Sequence, residues 1–226
     1  MTHKYVWADA PAQTAFPIAR PGLPFIFAAA FVTFVLALAG FGIAALIGIA
    51  VTLFICYFFR DPDRVTPDIA DAVICPADGK VVFTGIVETN PFLPGRCMKI
   101  GIFMSVFNVH VNRVPMTGRI EKISYFPGTF MPADRPAAST KNEHNAVVLE
   151  TGAGDKIGFV QVAGLIARRI VCNIKEEDVM TAGQRFGMIC FGSRVDVYLP
   201  PEATLNVRTG DRVQAGTTIL GRMQSS

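Results

Sequence analysis

Between Arg20 and Arg60 the chain carries no Asp, Glu, Lys, Arg or His. Nothing else in the sequence limits the fold so severely. Leu23 to Phe59 is almost wholly apolar, and as one helix it would run about 55 Å, far beyond the roughly 30 Å hydrocarbon core of a bilayer. Gly40-Phe41-Gly42 sits midway and offers a place to turn. The reading is therefore two short helices, 23–39 and 43–59, forming a hairpin in the membrane. Each is near the short limit for spanning, so a shallow re-entrant hairpin stays open beside a spanning one. The many Ala and Gly residues let two such helices pack closely.

Basic residues flank the apolar run, with His3, Lys4 and Arg20 before it and Arg60 and Arg64 after it. The positive-inside rule then puts both tails on the cytoplasmic side of the cell membrane. This divides the chain into a cytoplasmic tail (1–22), a membrane hairpin (23–59) and a domain over 60–226 that faces the cytoplasm. A cleaved signal peptide fits poorly, because the apolar run is too long and starts too late. Hydrophobic residues make up 51% of the chain against 17% charged, a balance that suits a membrane element. A net charge of +3 gives no nucleic-acid signature, though it favours an anionic membrane surface. The five cysteines form no C-x-x-C pair and suggest neither a zinc site nor a disulfide framework. Reduced thiols in a cytosol-facing domain are the simplest reading.

"FFRDPDRVTPD", residues 58–68, reads as the exit from the membrane: aromatic anchors, then charge, then prolines that forbid helix. From about residue 70 the texture is β. Short strand-like runs occur at 73–75, 80–88, 98–106, 119–125, 146–151, 156–162, 186–191, 194–199, 204–208 and 217–220, with glycine-bearing turns between several of them. One brief helix is expected near 164–171. The fold class is mainly β, a sandwich or flattened barrel preceded by the helical hairpin. "PADGKVVFTGIV" and "TGDRVQAGTTILGRM" echo each other in the manner of a biotinyl- or lipoyl-type β-hammerhead. The longest unpatterned loop, Phe126 to Asn145, is of a length at which loops are often functional, as in a substrate-side lid.

Three residues supply chemistry by type. Asp78 lies in "CPADGKV", His110 in "SVFNVHVNRVP", and Ser193 in "CFGSRVD". Singly they read as an Asp-Gly turn, a packed histidine and a Gly-Ser bulge. Jointly they are the parts of an assisted serine nucleophile, with Asp to orient His and His to deprotonate Ser. Yet there is no G-x-S-x-G, no S-x-x-K and no H-x-H or H-E-x-x-H, so ordinary hydrolysis and metal-assisted hydrolysis lack support.

"FFRDPDRVTP", "PADGKV", "VFNVHVNRVPMTG", "QVAGLIARRIV" and "GQRFGMICFGSRVDVYLP", in this order and spacing, resemble the short form of the phosphatidylserine decarboxylase family. The resemblance implies an inactive proenzyme that cuts itself at Gly192-Ser193. Ser193 Oγ would attack the Gly192 carbonyl, a residue with no Cβ in the way and a tolerance for strained backbone. The products would be a β chain, 1–192, and an α chain, 193–226, which stay together as a heterodimer. Ser193 would become a pyruvoyl group, with no metal, that forms a Schiff base with phosphatidylserine and releases CO2 to give phosphatidylethanolamine. A substrate resident in the membrane gives the apolar hairpin its reason. Arg113, Arg168 and Arg169 are the nearest candidates to meet the lipid phosphate or carboxylate, or else to form structural ion pairs.

In one respect the chain departs from the pattern. Longer family members carry two histidines in the motif that reads "HVNRVP" here, and the second belongs to their Asp–His–Ser self-cleavage triad. Arg113 stands at that position, so His110 is the candidate base, for self-cleavage, decarboxylation or both. His144, in "NEHN", is the fallback, although the short form usually has Arg there. Two other classes compete. A membrane-tethered biotinyl or lipoyl carrier would use Lys99, after Met98, and a non-enzymatic membrane scaffold would leave Gly192-Ser193 as a bulge in an uncut chain. Within the leading class, a serine phospholipid with ether-linked, archaeal-type chains competes as substrate.

Overall fold

The computed structural model describes residues 18–165, 169–190 and 192–224. It separates into a helical unit lying within 12–63 and a β unit built from Arg64 onward.

In the helical unit a 3-10 turn, Arg20–Gly22, leads into α1 (Leu23–Leu38), and α2 (Gly42–Phe58) returns. The chain reverses where two glycines were expected to let it, with Gly40 in the left-handed region at φ 78°. Proline in the first turn of α1 costs no intrahelical hydrogen bond, because that N–H would have no partner within the helix. Between the helices the Thr33 and Thr52 hydroxyls lie 3.4 Å apart. Each also donates to the carbonyl four residues earlier, Ala29 and Gly48, at 2.7 and 2.8 Å, so no polar atom of either side chain is left to an apolar solvent. The open end is closed by the Ala19 amide donating to the Phe59 carbonyl at 2.8 Å and by stacking of Phe25 on Phe59. Phe27, Phe31, Leu38, Ile43 and Leu46 project outward with most of their surface exposed. Arg20–Leu38, the 3-10 turn and α1 together, is long and apolar enough to cross a membrane, with a mean hydropathy of 2.1, and α2 is shorter than that span.

The β unit is mainly β, as the sequence predicts. Its strands are β1 (Ala72–Ile74), β2 (Gly79–Val87), β3 (Cys97–Met104), β4 (Val111–Arg113), β5 (Gly118–Phe126), β6 (His144–Thr151), β7 (Lys156–Val162), β8 (Ile170–Cys172), β9 (Val179–Met180), β10 (Arg185–Ile189), β11 (Ser193–Leu199), β12 (Thr204–Leu205), β13 (Arg212–Val213) and β14 (Ile219–Arg222). Eight of them form a curled half-barrel in the order β13-β2-β3-β11-β7-β6-β5-β9. Two three-stranded sheets, β1-β14-β12 and β4-β10-β8, complete the unit. Every pairing between these strands is antiparallel.

The two echoing segments meet in space, for Arg212 and Val213 of β13 pair with Lys80 and Gly79 of β2. The region near 164–171 departs from the expected helix: Ile170–Cys172 is strand, paired with β10, while 166–168 lie outside the described residues. Inside the long loop after Phe126 there is instead one helical turn, α3 (Ala138–Lys141).

Alternation along β11 explains where the core sits. Val195, Val197 and Leu199 join Ile100, Ile102, Phe159 and Phe186 on one face. Tyr198, with Val160, Val162 and Leu93, packs on the other. The central sheet is therefore covered on both sides, and β11 is buried from end to end. Phe159 and Phe186 meet edge to face at 4.8 Å between ring centres, both fully buried. Phe159→Ala is expected to cost about 3–5 kcal/mol. Denaturant unfolding of the full-length protein in detergent, beside the unchanged sequence, measures it.

Candidate active site

Gly192 and Ser193 stand where the chain leaves β10 and enters the central strand. Just beyond β10 the Cys190 amide donates to the Arg169 carbonyl at 3.2 Å. Two residues on, Gly192 has φ 63°. A side chain there would meet nothing within 4 Å, so the position calls for glycine by its backbone angle and not by crowding. Phe191 lies outside the described residues. Ser193 is fully buried and pairs in register with Met104 of β3. Its Oγ donates to Met104 Sδ at 3.5 Å, and a thioether is a weak acceptor that does little to stabilise the hydroxyl proton.

Behind Met104 runs a buried chain of amides that the sequence reading missed. Asn112 Nδ2 donates to the same sulfur at 3.7 Å, Gln161 Nε2 donates to Asn112 Oδ1 at 2.9 Å, and Asn145 Nδ2 donates to Gln161 Oε1 at 3.4 Å. Asn112 and Gln161 are fully buried. Both lie in motifs that carry the family resemblance, "HVNRVP" and "QVAG", which was the available signal.

His110 precedes β4 of a three-stranded sheet, while Asp78 and Ser193 stand at one end of the large sheet. β2 and β11 begin there and β3 ends there, since Lys80 pairs with Phe103 and Phe103 with Arg194. Asp78 sits on the bend that opens β2. Its Oδ2 accepts from Arg64 Nη2 at 3.0 Å and its Oδ1 from the Ala215 amide at 2.8 Å, so both oxygens are engaged. His110 is fully buried, and its carbonyl accepts the Ile189 amide at 3.3 Å. The histidine thus lies alongside the last residue of the strand that leads to Gly192. Arg113 faces the other way from Asn112, as neighbours on a strand must, and its Nη1 donates to the Gly183 carbonyl at 2.9 Å. It is buried to 5% exposure, a placement that suits a structural tie. Arg169 is exposed beside Cys190, whose thiol is pushed up by burial and partly drawn back down by that guanidinium. Arg168 lies outside the described residues. His144 is on the sheet face opposite the Ser193 side chain, stacked on Phe126. Its Nδ1 lies 2.7 Å from the Asn142 carbonyl, an acceptor only, so Nδ1 carries the proton.

On that second face the residues right after Ser193 form a buried ionic cluster. Arg194 Nε donates to Asp196 Oδ1, and Lys99 Nζ lies 3.0 Å from Asp196 Oδ2 while donating to Ser139 Oγ of α3. Burial lowers the Lys99 ammonium pKa and the Asp196 carboxylate works against that shift. Desolvation pushes the Tyr198 phenol up, with the Asp196 charge adding to it. Lys99 is thus a mid-strand, ion-paired lysine, which removes the reason for reading it as the exposed turn lysine of a biotinyl or lipoyl carrier.

The comparisons with known proteins point one way. The family model for phosphatidylserine decarboxylase matches residues 51–221. A phosphatidylserine decarboxylase proenzyme of Desulfotalea psychrophila is 50% identical over 211 residues, covering 93% of this chain and 99% of that protein. Proenzymes of the same name from Geotalea uraniireducens and Syntrophus aciditrophicus are 51% and 48% identical, over 91% and 90% of this chain and 96% of each of theirs. The chain belongs to the phosphatidylserine decarboxylase family.

Asp196→Asn leaves two buried cations without their shared counter-charge. It is expected to cost about 3–5 kcal/mol, far more than an exposed pair of the same chemistry. Denaturant unfolding, with Glu121→Gln as the exposed-pair control against Lys156, measures the difference.

Proposed function

We propose that this chain is a phosphatidylserine decarboxylase made as a proenzyme, cut at Gly192-Ser193 by Ser193 itself. The observation that carries the reading is a left-handed glycine placed directly before a fully buried serine at the head of the central strand. In the first step a bond forms between Ser193 Oγ and the Gly192 carbonyl carbon, the 192–193 C–N bond breaks, and the hydroxyl proton ends on the freed nitrogen. Loss of the Ser193 Cα proton then expels the Gly192 carboxylate and leaves dehydroalanine. Water converts that residue to the pyruvoyl group with release of ammonia, so no metal or oxidant enters.

His110 is the candidate to take the Ser193 proton, and Asp78 is the candidate to orient it. Asp78 is itself fixed by Arg64 and the Ala215 amide, so it is a rigid negative charge at the mouth of the sheet. A pyruvoyl group supplies a carbonyl that captures the amine of a serine lipid and accepts the electron pair left when CO2 departs. Residue 193 fits that role because β3 and β7 flank its strand and exclude water around it. The apolar hairpin holds the enzyme at the cytoplasmic membrane where its lipid substrate lies, with the catalytic unit facing the cytoplasm. Arg169, exposed beside Cys190, is the described arginine best able to meet the lipid phosphate, and Arg113 serves the fold.

The experiment is intact mass analysis of the purified protein together with CO2 release from phosphatidylserine vesicles. Two chains are expected in place of one of 24.4 kDa, the smaller starting at residue 193 with a ketone in place of an amine. Ser193→Ala is expected to remain one chain and release no CO2. Cutting at 192/193 in that variant, or CO2 release from an uncut chain, sinks the reading.

A further inference from the structure

The scissile carbonyl does not point into open space. A Cβ built on Gly164 would overlap the Gly192 carbonyl oxygen and come within 2.9 Å of its carbon, so the bare backbone at 164 is what that oxygen rests against. Contact this close with backbone leaves no room for any side chain at 164, not even a methyl group. The same imaginary Cβ would lie 3.4 Å from Ala133, which closes the spot from the side of the long loop.

Position 164 is itself braced. Asn142 is fully buried and uses its whole amide: Nδ2 donates to the Ala163 carbonyl at 2.7 Å and to the Met131 carbonyl at 2.8 Å, and Oδ1 accepts from the Met131 amide at 3.0 Å. The Ala163 amide donates to the Glu143 carbonyl at 2.9 Å. Residue 163, one before Gly164, is therefore gripped at both its N–H and its C=O by consecutive residues of the loop. None of these contacts involves β11, where Ser193 is held separately by its pairing with Met104 of β3 and β7 joins from Arg194 onward.

We propose that Gly164, braced through Ala163 by Asn142, is a positioning element for self-cleavage: it fixes the direction of the Gly192 carbonyl so that the Ser193 oxygen meets the carbonyl carbon. The inference rests on the self-cleavage reading above and deepens it. With φ 63° at Gly192, the peptide plane at 192–193 is free to rotate unless something stops the oxygen, since glycine has no side chain to limit it. Attack needs the carbonyl carbon within reach of Oγ along one direction, and misplacement by about 1 Å can cost on the order of 10²-fold in rate. A rigid wall against the oxygen supplies that direction, and the pairing of Ser193 with Met104 of β3 supplies the fixed nucleophile. Gly164 and Asn142 touch no substrate and transfer no proton, so they are positioning residues and not catalytic ones.

The test follows cutting at 192/193 by intact mass in freshly synthesised full-length chains of wild type, Gly164→Ala and Asn142→Ala. Each is run with and without hydroxylamine, which cleaves an ester at Gly192 but not an amide. Gly164→Ala is expected to slow cutting by about 10²-fold and Asn142→Ala by about tenfold. Hydroxylamine should not restore either, because the ester itself fails to form. A variant that merely weakened the fold would unfold at lower temperature yet keep its hydroxylamine response, so thermal unfolding is recorded beside each time course. Asn142→Ala introduces no overlap with the carbonyl and carries the test if Gly164→Ala does not fold. Cutting of both variants at the wild-type rate, or rapid cutting of both by hydroxylamine, overturns this inference alone. A wild-type chain left uncut at 192/193 overturns the self-cleavage reading beneath it.

Discussion

Strand β11 is paired along its length to β3 and over most of it to β7, and both of its faces are covered by packed side chains. Everything that the proposed chemistry requires of residue 193 depends on that pairing. A residue at a chain terminus ordinarily frays, because half of its backbone restraints are missing. In the proposed cut the residue that would become a terminus is paired to β3, and β7 joins its strand one residue later, so its restraints come from across the sheet and would survive the loss of one peptide bond. The segment 193–226 is not tethered by β11 alone. Its strands β13 and β14 pair with β2 and β1, so a cut chain would remain a member of two sheets.

The two faces of β11 impose different surroundings on successive residues. Ser193 points toward Met104 and the amides of Asn112 and Gln161, an interior in which its hydroxyl partner is an uncharged thioether. Arg194 and Asp196 point to the other side, into an ionic cluster closed by Lys99 and Ser139. Strand alternation is what keeps these environments apart, since residues one position apart face opposite ways at a distance of only one peptide unit. A single-residue slip of register would put Arg194 among the core residues and Ser193 among the ions, and no such slip is tolerable in a sheet buried on both sides.

Much of this was legible in the sequence, and the failures have physical causes. The apolar hairpin was read to within a residue of its helix ends, since an uncharged run interrupted by Gly40-Phe41-Gly42 leaves few options. The longer strands were found because alternation shows over six residues or more. β4, β8, β9 and β13 were missed because two or three residues cannot display a period, and they exist only because β10, β5 and β2 offer backbone partners. Arg194 and Asp196 alternate with valines as the polar residues of a half-exposed strand would, yet both are buried, with Lys99 and Ser139 completing their cluster. The amide chain from Asn112 to Asn145 joins three strands far apart in sequence, so no single stretch could reveal it. Gly164 was visible as a letter in "QVAGL", but its contact with Gly192 is a fact of register between segments and not of composition.

The ionic cluster is better understood as a device of geometry than of stability. A buried ion pair rarely contributes more than apolar residues of the same volume would, because desolvation offsets most of the attraction. Apolar replacements at 99, 194 and 196 would pack without preferring one azimuth of the strand over another. A guanidinium and an ammonium sharing one carboxylate do prefer one, since Asp196 must present a separate oxygen to each. The preference is imposed one and three residues beyond Ser193, on the side of the bond that stays in the sheet. On the other side of that bond the restraint on Gly192 comes from Gly164 and is of a different kind, steric contact on a carbonyl. The bond proposed to be cut thus lies between a segment fixed by charge and register and a segment fixed by close packing, and a small displacement on either side would change the angle of the proposed attack by Ser193 Oγ on the Gly192 carbonyl carbon.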